Sequence, residues 1–526
     1  MSKETKTTAE KLMDIIDDVP FFHDPSGTGW ARADGHCYPV RSTQFKRWIQ
    51  RKYYNLYGKT PHSQATQDVL DQATGIALFD STLETVHVRV AKQNENIIID
   101  TGSDYGVTKI EINEDGWTEG TVNIVNFWRP QGMNPLPKPA PGGSIDQLRD
   151  FLNYETEDDF RLIVAWILSA LNPEISTPIL NFQGEQGTAK STNSKICRTL
   201  IDPNGALIRS APKDERELII QANNSRIICL DNLSGVKKWL SDALCRICTG
   251  SGFSTRRLYT NDEEQIFKVK RPIILNGIDD IATRGDLLDR SIVLNLPPIA
   301  DDKRKDERDF WQEFEQKQPF ILGALYDAIS SGLIAEDPEL NELPRMADFA
   351  EWITRCETAF GWNKGTLLNA YNRNRGEAVE TGLDSDYLAG AIRKILSTTR
   401  HYEGTATELV EKVRNVSPEV NEKYLPTTRT LKSRLRRLAP ALRKVGIEWD
   451  YNPNGNQRTY TLDRDENKVS KVSRSVQPIQ KPDDVDGSDS SNVQLSNVEP
   501  NSAIFGEPSL ADSFDEKYNS YNEPPF

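Results

Sequence analysis

The sequence predicts an α/β protein: a parallel-sheet core carrying a phosphate-type loop, an α+β domain before it, and helical and helix-plus-hairpin units after it. Three observations lead there. A glycine turn, Gly184-Glu185-Gln186-Gly187-Thr188-Ala189-Lys190-Ser191-Thr192, joins an apolar run to a helix-like segment. Further short apolar runs follow at 226–232, 272–277 and 291–296, the spacing of strands separated by crossovers. Beyond them a basic, leucine-spaced helix precedes a hairpin signal. The expected divisions are 1–155 (α+β), 156–300 (core), 301–380 (helical lid), 385–464 (helices plus hairpin) and 465–526 (disordered acidic tail).

With 526 residues there is room for roughly three domains at about 150 residues each. The net charge is -14, but residues 482–526 hold ten Asp or Glu against one Lys, which leaves -5 for the rest. The body of the chain is only mildly acidic, so local basic patches decide its partners. Cysteines at 37, 197, 229, 245, 248 and 356 are too scattered for a disulfide framework. Cys245-Arg246-Ile247-Cys248 lacks a second pair, so these read as core cysteines in a reducing compartment. The polar opening Met1 to Asp18 does not read as a secretory leader, and Leu162 to Leu171 is too short to span a bilayer. A cytoplasmic protein without membrane contact is expected.

In the first domain, Phe45, Trp48, Ile49 and Tyr53 have helical spacing, whereas 86–90 and 109–112 alternate as strands do. Pro135 to Gly143 reads as a stiff connector at a domain boundary. Asp100, Asp104 and Glu111 read as turn or surface acids, and His23, His36 and His87 lack ligand spacing. No polymerase or nuclease cluster is recognisable.

A buried helix from Glu157 leads into the strand 178–182 and the loop. Glycines let backbone N–H groups converge on a phosphate, Lys190 adds charge for the outer phosphates, and the Ser191 hydroxyl suits Mg²⁺. Ala189 stands where the usual pattern has glycine. The run Ile227-Ile228-Cys229-Leu230 ends in Asp231, a carboxylate suited to the same metal. The run Ile273-Ile274-Leu275 ends in Asn276, placed beside the second strand and near a γ-phosphate and its attacking water. Arg290, before the fourth strand, is placed to reach a neighbouring subunit's nucleotide.

This order, with Thr249 to Tyr259 between Asp231-Asn232 and Asn276, resembles the ring-forming helicases of superfamily 3. It is most similar to the phage and poxvirus-type primase-helicase ATPases, over about residues 160–300. The resemblance implies a P-loop core of AAA+ type binding ATP and Mg²⁺, with Lys190 on phosphates, Ser191 and Asp231 on the metal, and Asn276 as sensor. It also implies Arg290 as a finger donated in trans, a homo-hexameric ring and a hairpin facing the channel. Where such ATPases place a second acid, this chain has Asn232, and an amide cannot accept the water's proton. Glu185, Asp214 and Glu215 remain as substitutes.

Two segments read as DNA surfaces. Arg256, Arg257, Lys268 and Lys270 surround Tyr259 and Phe267, a pairing of charge with aromatics that suits a single strand, although Asp262, Glu263 and Glu264 also fit a solvated hairpin. Residues 385–464 read as three helices and a hairpin, a winged helix. Its third helix, 427–445, carries Arg429, Lys432, Arg434, Arg436, Arg437, Arg443 and Lys444 with no acid, and Pro440 is expected to kink or split it. Arg345 reads first as a surface salt bridge.

The tail's end, Asp515 to Phe526, loosely resembles the acidic Pro-Phe terminus of bacterial single-strand DNA-binding proteins, which would imply replication partners; plain solubilisation is the alternative. The expected function is an ATP-dependent DNA helicase or replication ATPase acting on single-stranded or forked DNA. The alternative is a DNA-binding initiator or regulator that uses nucleotide as an assembly switch, which Asn232 favours. A priming enzyme is disfavoured by the lack of an acid cluster in the first domain.

Overall fold

The computed structural model describes residues 6–104, 108–120, 125–252, 269–277, 284–302, 304–340, 343–384, 386–418, 420, 424–453 and 458–465, with the backbone alone at 253–256, 264–267, 303 and 385. The opening residues close on a core of their own. They form α1 (Thr8–Ile16), β1 (Phe21–His23), β2 (Gly29–Ala33), β3 (His36–Pro39), α2 (Thr43–Tyr57), α3 (Ser63–Phe79) and β4 (Thr82–Leu83). The sheet order is β3-β2-β1-β4. Phe45, Ile49 and Tyr53, one helical turn apart along α2, meet Leu12, Ile16, Val69 and Ala73 in this core.

Next come β5 (Val86–His87), β6 (Val90–Gln93), β7 (Asn96–Asp100), β8 (Lys109–Asn113), β9 (Gly116–Gly120) and β10 (Asn126–Phe127). The single strand expected over 86–90 is broken, because Arg89 takes a left-handed φ of 66°. The turn sends its fully buried side chain inward, where the guanidinium donates to the carbonyls of Asp100 at 3.0 Å and Asn134 at 2.7 Å. Strands β6 to β9 form an antiparallel meander.

The central layer starts with α4 (Glu157–Ala170), whose Thr156 and Asp159 form a reciprocal cap. Ten of its residues are buried, and Trp166 donates to the Pro178 carbonyl at 2.8 Å. Then follow β11 (Ile179–Gln183), α5 (Lys190–Ile201), α6 (Glu215–Asn223), β12 (Ile228–Leu233), α7 (Lys238–Thr249), β13 (Phe253–Arg256), β14 (Glu264–Phe267), β15 (Ile273–Gly277), α8 (Gly285–Leu288) and β16 (Ser291–Asn295). Four strands make a parallel sheet in the order β12-β15-β11-β16, with β13 and β14 an antiparallel hairpin apart from it. Alternate residues divide between two cores: Leu180, Cys229 and Ile274 face α4 and α5, while Ile179, Ile228, Ile273 and Leu275 face α6 and α7. A sheet covered on both faces needs apolar residues at consecutive positions, which is why these strands read as unbroken runs.

Helices α9 (Glu307–Ile334), α10 (Ala347–Cys356) and α11 (Thr366–Ser385) follow. Asn374 of α11 takes both backbone groups of Val293, at 3.0 and 2.6 Å, and so covers the edge of β16. Val90, Ile97, Ile99, Ile110 and Ile112 from the meander share the core of α4 and α9, so the apolar residues of 1–155 do not close on a single core of their own. The connector 135–143 is not a free spacer: Ala140 donates to the Pro319 carbonyl at 2.9 Å, and a Cβ at Gly323 would strike the Ala140 carbonyl.

The last described elements are α12 (Tyr387–Thr399), β17 (His401–Thr405), α13 (Ala406–Val416), α14 (Leu431–Lys444), β18 (Ile447–Asn452) and β19 (Thr459–Arg464). An antiparallel sheet of order β17-β19-β18 packs with the three helices around a core that includes Ile392, Ile395, Leu409, Leu431, Leu435 and Leu462. Pro440 lies inside α14 without splitting it. The carbonyl that loses its donor belongs to Arg436, on the exposed side, where water can satisfy it. Among the described residues no helix is long and apolar enough to cross a membrane, and no three His, Cys, Asp or Glu gather as a metal site. The acidic tail beyond 465 lies outside the described residues.

Candidate functional site

The glycine turn leaves β11 at Gln183 and enters α5 at Lys190. Gly184 has φ 143°, and a Cβ there would come within 2.8 Å of the Leu296 carbonyl, so the approach of the two strand ends requires glycine. Gly187 (φ 86°) and Ala189 (φ 57°) are also left-handed. Ala189 thus adopts the conformation that the usual glycine would take freely, at a cost of about 1–2 kcal/mol for an L-residue. Successive turns of this kind aim N–H groups toward one point, the geometry of an anion nest.

Lys190 folds back over this loop. Its ammonium donates to the carbonyls of Gly184, at 2.7 Å, and Glu185, and to Thr188 Oγ1 at 3.3 Å. Burial lowers its pKa, with the charge of Asp231 working the other way. Ser191 Oγ donates to Asp231 Oδ1 at 2.7 Å. Asn276 accepts from the Asn232 backbone N–H at 2.9 Å and donates to Ser194 Oγ at 3.1 Å. Lys190, Ser191, Asp231 and Asn276 therefore gather at the carboxyl ends of three adjacent parallel strands, which is where ligands bind in such sheets. Glu185, Gln186 and Gly187 are exposed at the loop's tip, whereas Thr188 is buried and donates to the Glu185 carbonyl at 2.9 Å. Thr192 follows within α5 and is half-buried.

Asn232, where a second acid was expected, has φ 55° beside a register shift between Leu230 and Leu233. Asparagine tolerates that backbone better than most residues. Of the substitute acids, Asp214 caps α6 by accepting from Glu217 N at 2.9 Å, and Glu215 is paired with Arg246 at 2.6 Å. Glu185 sits in the loop itself.

Arg290 is elsewhere. Its carbonyl accepts from Ile179 N at 2.8 Å, at the start of β11, and its guanidinium donates to the Asp286 carbonyl at 2.8 Å. The length of β11 separates it from the loop by roughly 15 Å, so it does not serve the same site as Lys190 within one chain. Its neighbour Asp289 takes Lys444 of α14 at 2.7 Å, Arg345 at 3.6 Å and Arg375 at 3.7 Å. Burial pushes the Asp289 carboxyl up, but the hydrogen bond from Lys444 and the three cations outweigh it and hold it below its usual value.

The expected DNA-contacting residues fare differently. Lys270 is half-buried and donates to the Glu174 carbonyl, so it is spent on the fold; burial lowers its pKa. Arg257 and Lys268 lie outside the described residues, as does the side chain of Arg256. Arg429, in the turn before α14, and Arg436 and Arg437 on the helix are exposed. Lys432 stands 3.5 Å over the Tyr451 ring, and Arg434 donates to the Tyr424 carbonyl at 2.6 Å and pairs with Asp386 at 3.5 Å. The helix is therefore answered by Asp386 and Asp289 at two of its six cations.

Two residues at the loop escaped sequence reading. Asn153 donates to the carbonyls of Thr188 at 3.0 Å and Pro297 at 2.7 Å, bracing the loop from the segment before α4. Arg304 lies 3.6 Å from where a Cβ on Gly187 would stand. Neither sits in a periodic or motif-like stretch, so no local signal marks it.

Residues 145–376 match the family model described as the actinomycete integrative conjugative element replication protein, and residues 388–477 match that of the AICE RepA C-terminal domain. The likeness is to a replication protein. It supports a role in DNA replication, and the matches cover segments described above: the sheet with its helices, and the unit containing α14. Among solved structures, the apo C-terminal region of NrS-1 is 13% identical over 88% of this chain and 100% of that one, with a TM-score of 0.40. JCV Helicase is 12% identical over 43% of this chain and 66% of that one, with a TM-score of 0.22. No curated protein matches the chain.

Proposed function

We propose that this chain is an ATP-dependent DNA replication ATPase of helicase type, working as a homo-hexameric ring on single-stranded or forked DNA in the cytoplasm. The observation that carries the reading is the convergence of Lys190, Ser191, Asp231 and Asn276 beneath a loop of left-handed residues. ATP's outer phosphates would take the place of the loop carbonyls on Lys190, and Ser191 and Asp231 are oxygen donors of the kind Mg²⁺ takes. Bound there, the metal would neutralise charge developing on the phosphates. Asn276 is held by Asn232 and Ser194 in an orientation suited to a sensor. Glu185 is the acid we assign to the attacking water, since Asp214 and Glu215 are engaged elsewhere. Arg290 acts in trans, across a subunit boundary.

In this reading 156–300 is a P-loop core of AAA+ type, 301–380 its lid, 385–464 a winged helix that meets DNA through α14, and 465–526 a tail that recruits replication partners. The hairpin of β13 and β14 faces the channel. Strand displacement on a forked duplex with ATP tests it: the wild type should unwind and Lys190→Ala should not. Wild-type protein that binds ATP and DNA without unwinding favours the second reading, a nucleotide-switched initiator. The contact of Lys444 in α14 with Asp289, next to Arg290, is the observation in favour of that switch.

A further inference from the structure

Residues 35–67 contain six Lys or Arg and no Asp or Glu, although the chain's average of 78 acids in 526 residues would put about five there. Helix α2 lies at the centre of this window. Its inner face is fixed by Phe45, Ile49 and Tyr53, all fully or almost fully buried, which turns Arg47, Arg51 and Tyr54 outward at i, i+4 and i+7. Lys46 flanks them and Lys59 follows the Gly58 cap. Asp34 answers Lys52 at 3.1 Å and Asp71 answers Arg41, whereas Lys46, Arg47, Arg51 and Lys59 have no carboxylate partner among the described residues. Tyr54 is 58% exposed and Tyr57 38%, with Lys11 Nζ 5.1 Å over the Tyr57 ring.

We propose that the outer face of α2 is a second binding surface for single-stranded DNA, separate from α14 and from the hairpin of β13 and β14. The cations supply phosphate contacts, and the exposed Tyr54 beside them supplies a face on which a base stacks, the combination that suits a single strand. From Arg47 to Tyr54 the helix advances roughly 10 Å, room for a short stretch of backbone. The surface uses the proposed function only in taking DNA as the partner. It gives the first domain a task, holding the strand before or after it passes the ring.

The test is fluorescence anisotropy of a labelled oligo-dT with the full chain, without nucleotide, over a series of salt concentrations. Arg47→Gln with Arg51→Gln should lower the slope of log affinity against log salt by about 1.4, and weaken binding roughly tenfold at about 0.15 M salt. Arg47→Lys with Arg51→Lys should restore both, and Tyr54→Ala should weaken binding without changing the slope. Circular dichroism melting checks that each variant is folded. Duplex binding compared in Arg436→Gln with Arg437→Gln separates the two surfaces: its failure to fall would count against α14 and leave the α2 result standing. A folded α2 double variant with unchanged affinity and slope on oligo-dT overturns the proposal. So does one that keeps oligo-dT binding but loses an added peptide of residues 507–526, since the face would then belong to the acidic tail.

Discussion

Replacing Asp202 by Asn removes a single charge from the place where three parts of the chain meet. Asp202 ends α5 and is 1% exposed. One carboxylate oxygen faces Arg89 Nε at 3.4 Å, and the other accepts from Arg226 N at 2.9 Å and Ile227 N at 3.4 Å, with Arg198 at 3.9 Å. Arg226 is buried and Arg271 half-buried nearby, and desolvation brings their pKa values down to about 9 and about 10. Breaking a buried pair by removing one partner typically costs about 3–5 kcal/mol, because the other charge stays uncompensated. Asn keeps an oxygen for the Arg226 amide, so the lower end, about 3 kcal/mol, is expected. The loss also reaches the site, since Asp202 joins the end of α5, which begins with Lys190, to the start of β12, which carries Asp231. Urea unfolding should show a lower midpoint at an unchanged m-value, and hydrogen exchange should speed up over 226–233. Arg89→Met combined with Asp202→Asn should cost less than the two single changes summed. A loss below about 1 kcal/mol, or strict additivity, would refute the reasoning.

Other expectations are specific to the loop and the α14 contact. Ala189→Gly should stabilise the protein by about 1 kcal/mol and leave ATP binding intact, read by thermal melting and nucleotide titration; destabilisation would contradict the strain at φ 57°. Glu185→Gln should lower kcat about a hundredfold with ATP affinity unchanged, whereas Asp214→Ala should cost about 1 kcal/mol of stability through its lost cap and leave kcat alone. Asp289's carboxyl is depressed below 3.8, so its contribution is present at neutral pH and is lost as pH falls through that depressed value. Lys444→Ala removes one cause of the depression, and acid destabilisation should then begin at higher pH; an unchanged acid profile would show that Arg345 and Arg375 suffice.

The parallel sheet was legible because each strand is covered on both faces, so 227–230, 273–275 and 292–294 had to be apolar without a break. The loop and the strand-end residues Asp231 and Asn276 were legible for the same reason: the polar residue that follows such a run marks the strand's exit. Arg89 was not, since its left-handed turn answers to Asp202, more than a hundred positions away, and the alternating pattern of 86–90 gave no hint of it. β17 was missed because His401-Tyr402-Glu403-Gly404-Thr405 is short, polar and glycine-containing, and is a strand only through its pairing with β19. The connector 135–143 has the composition of a stiff spacer between domains, yet it is held by a carbonyl of Pro319 that only the folded α9 presents. On α14, charge counting found the basic face but not the long-range acids Asp289 and Asp386 that neutralise part of it.

The most direct test is ATP hydrolysis with forked DNA present, in the wild type, Lys190→Ala and Asn276→Ala. Hydrolysis should need Mg²⁺ and should fall at least about a hundredfold in each variant, the scale for losing one preorganised group at a site of charge development. Wild-type turnover in Lys190→Ala would contradict a nucleotide site built on this loop.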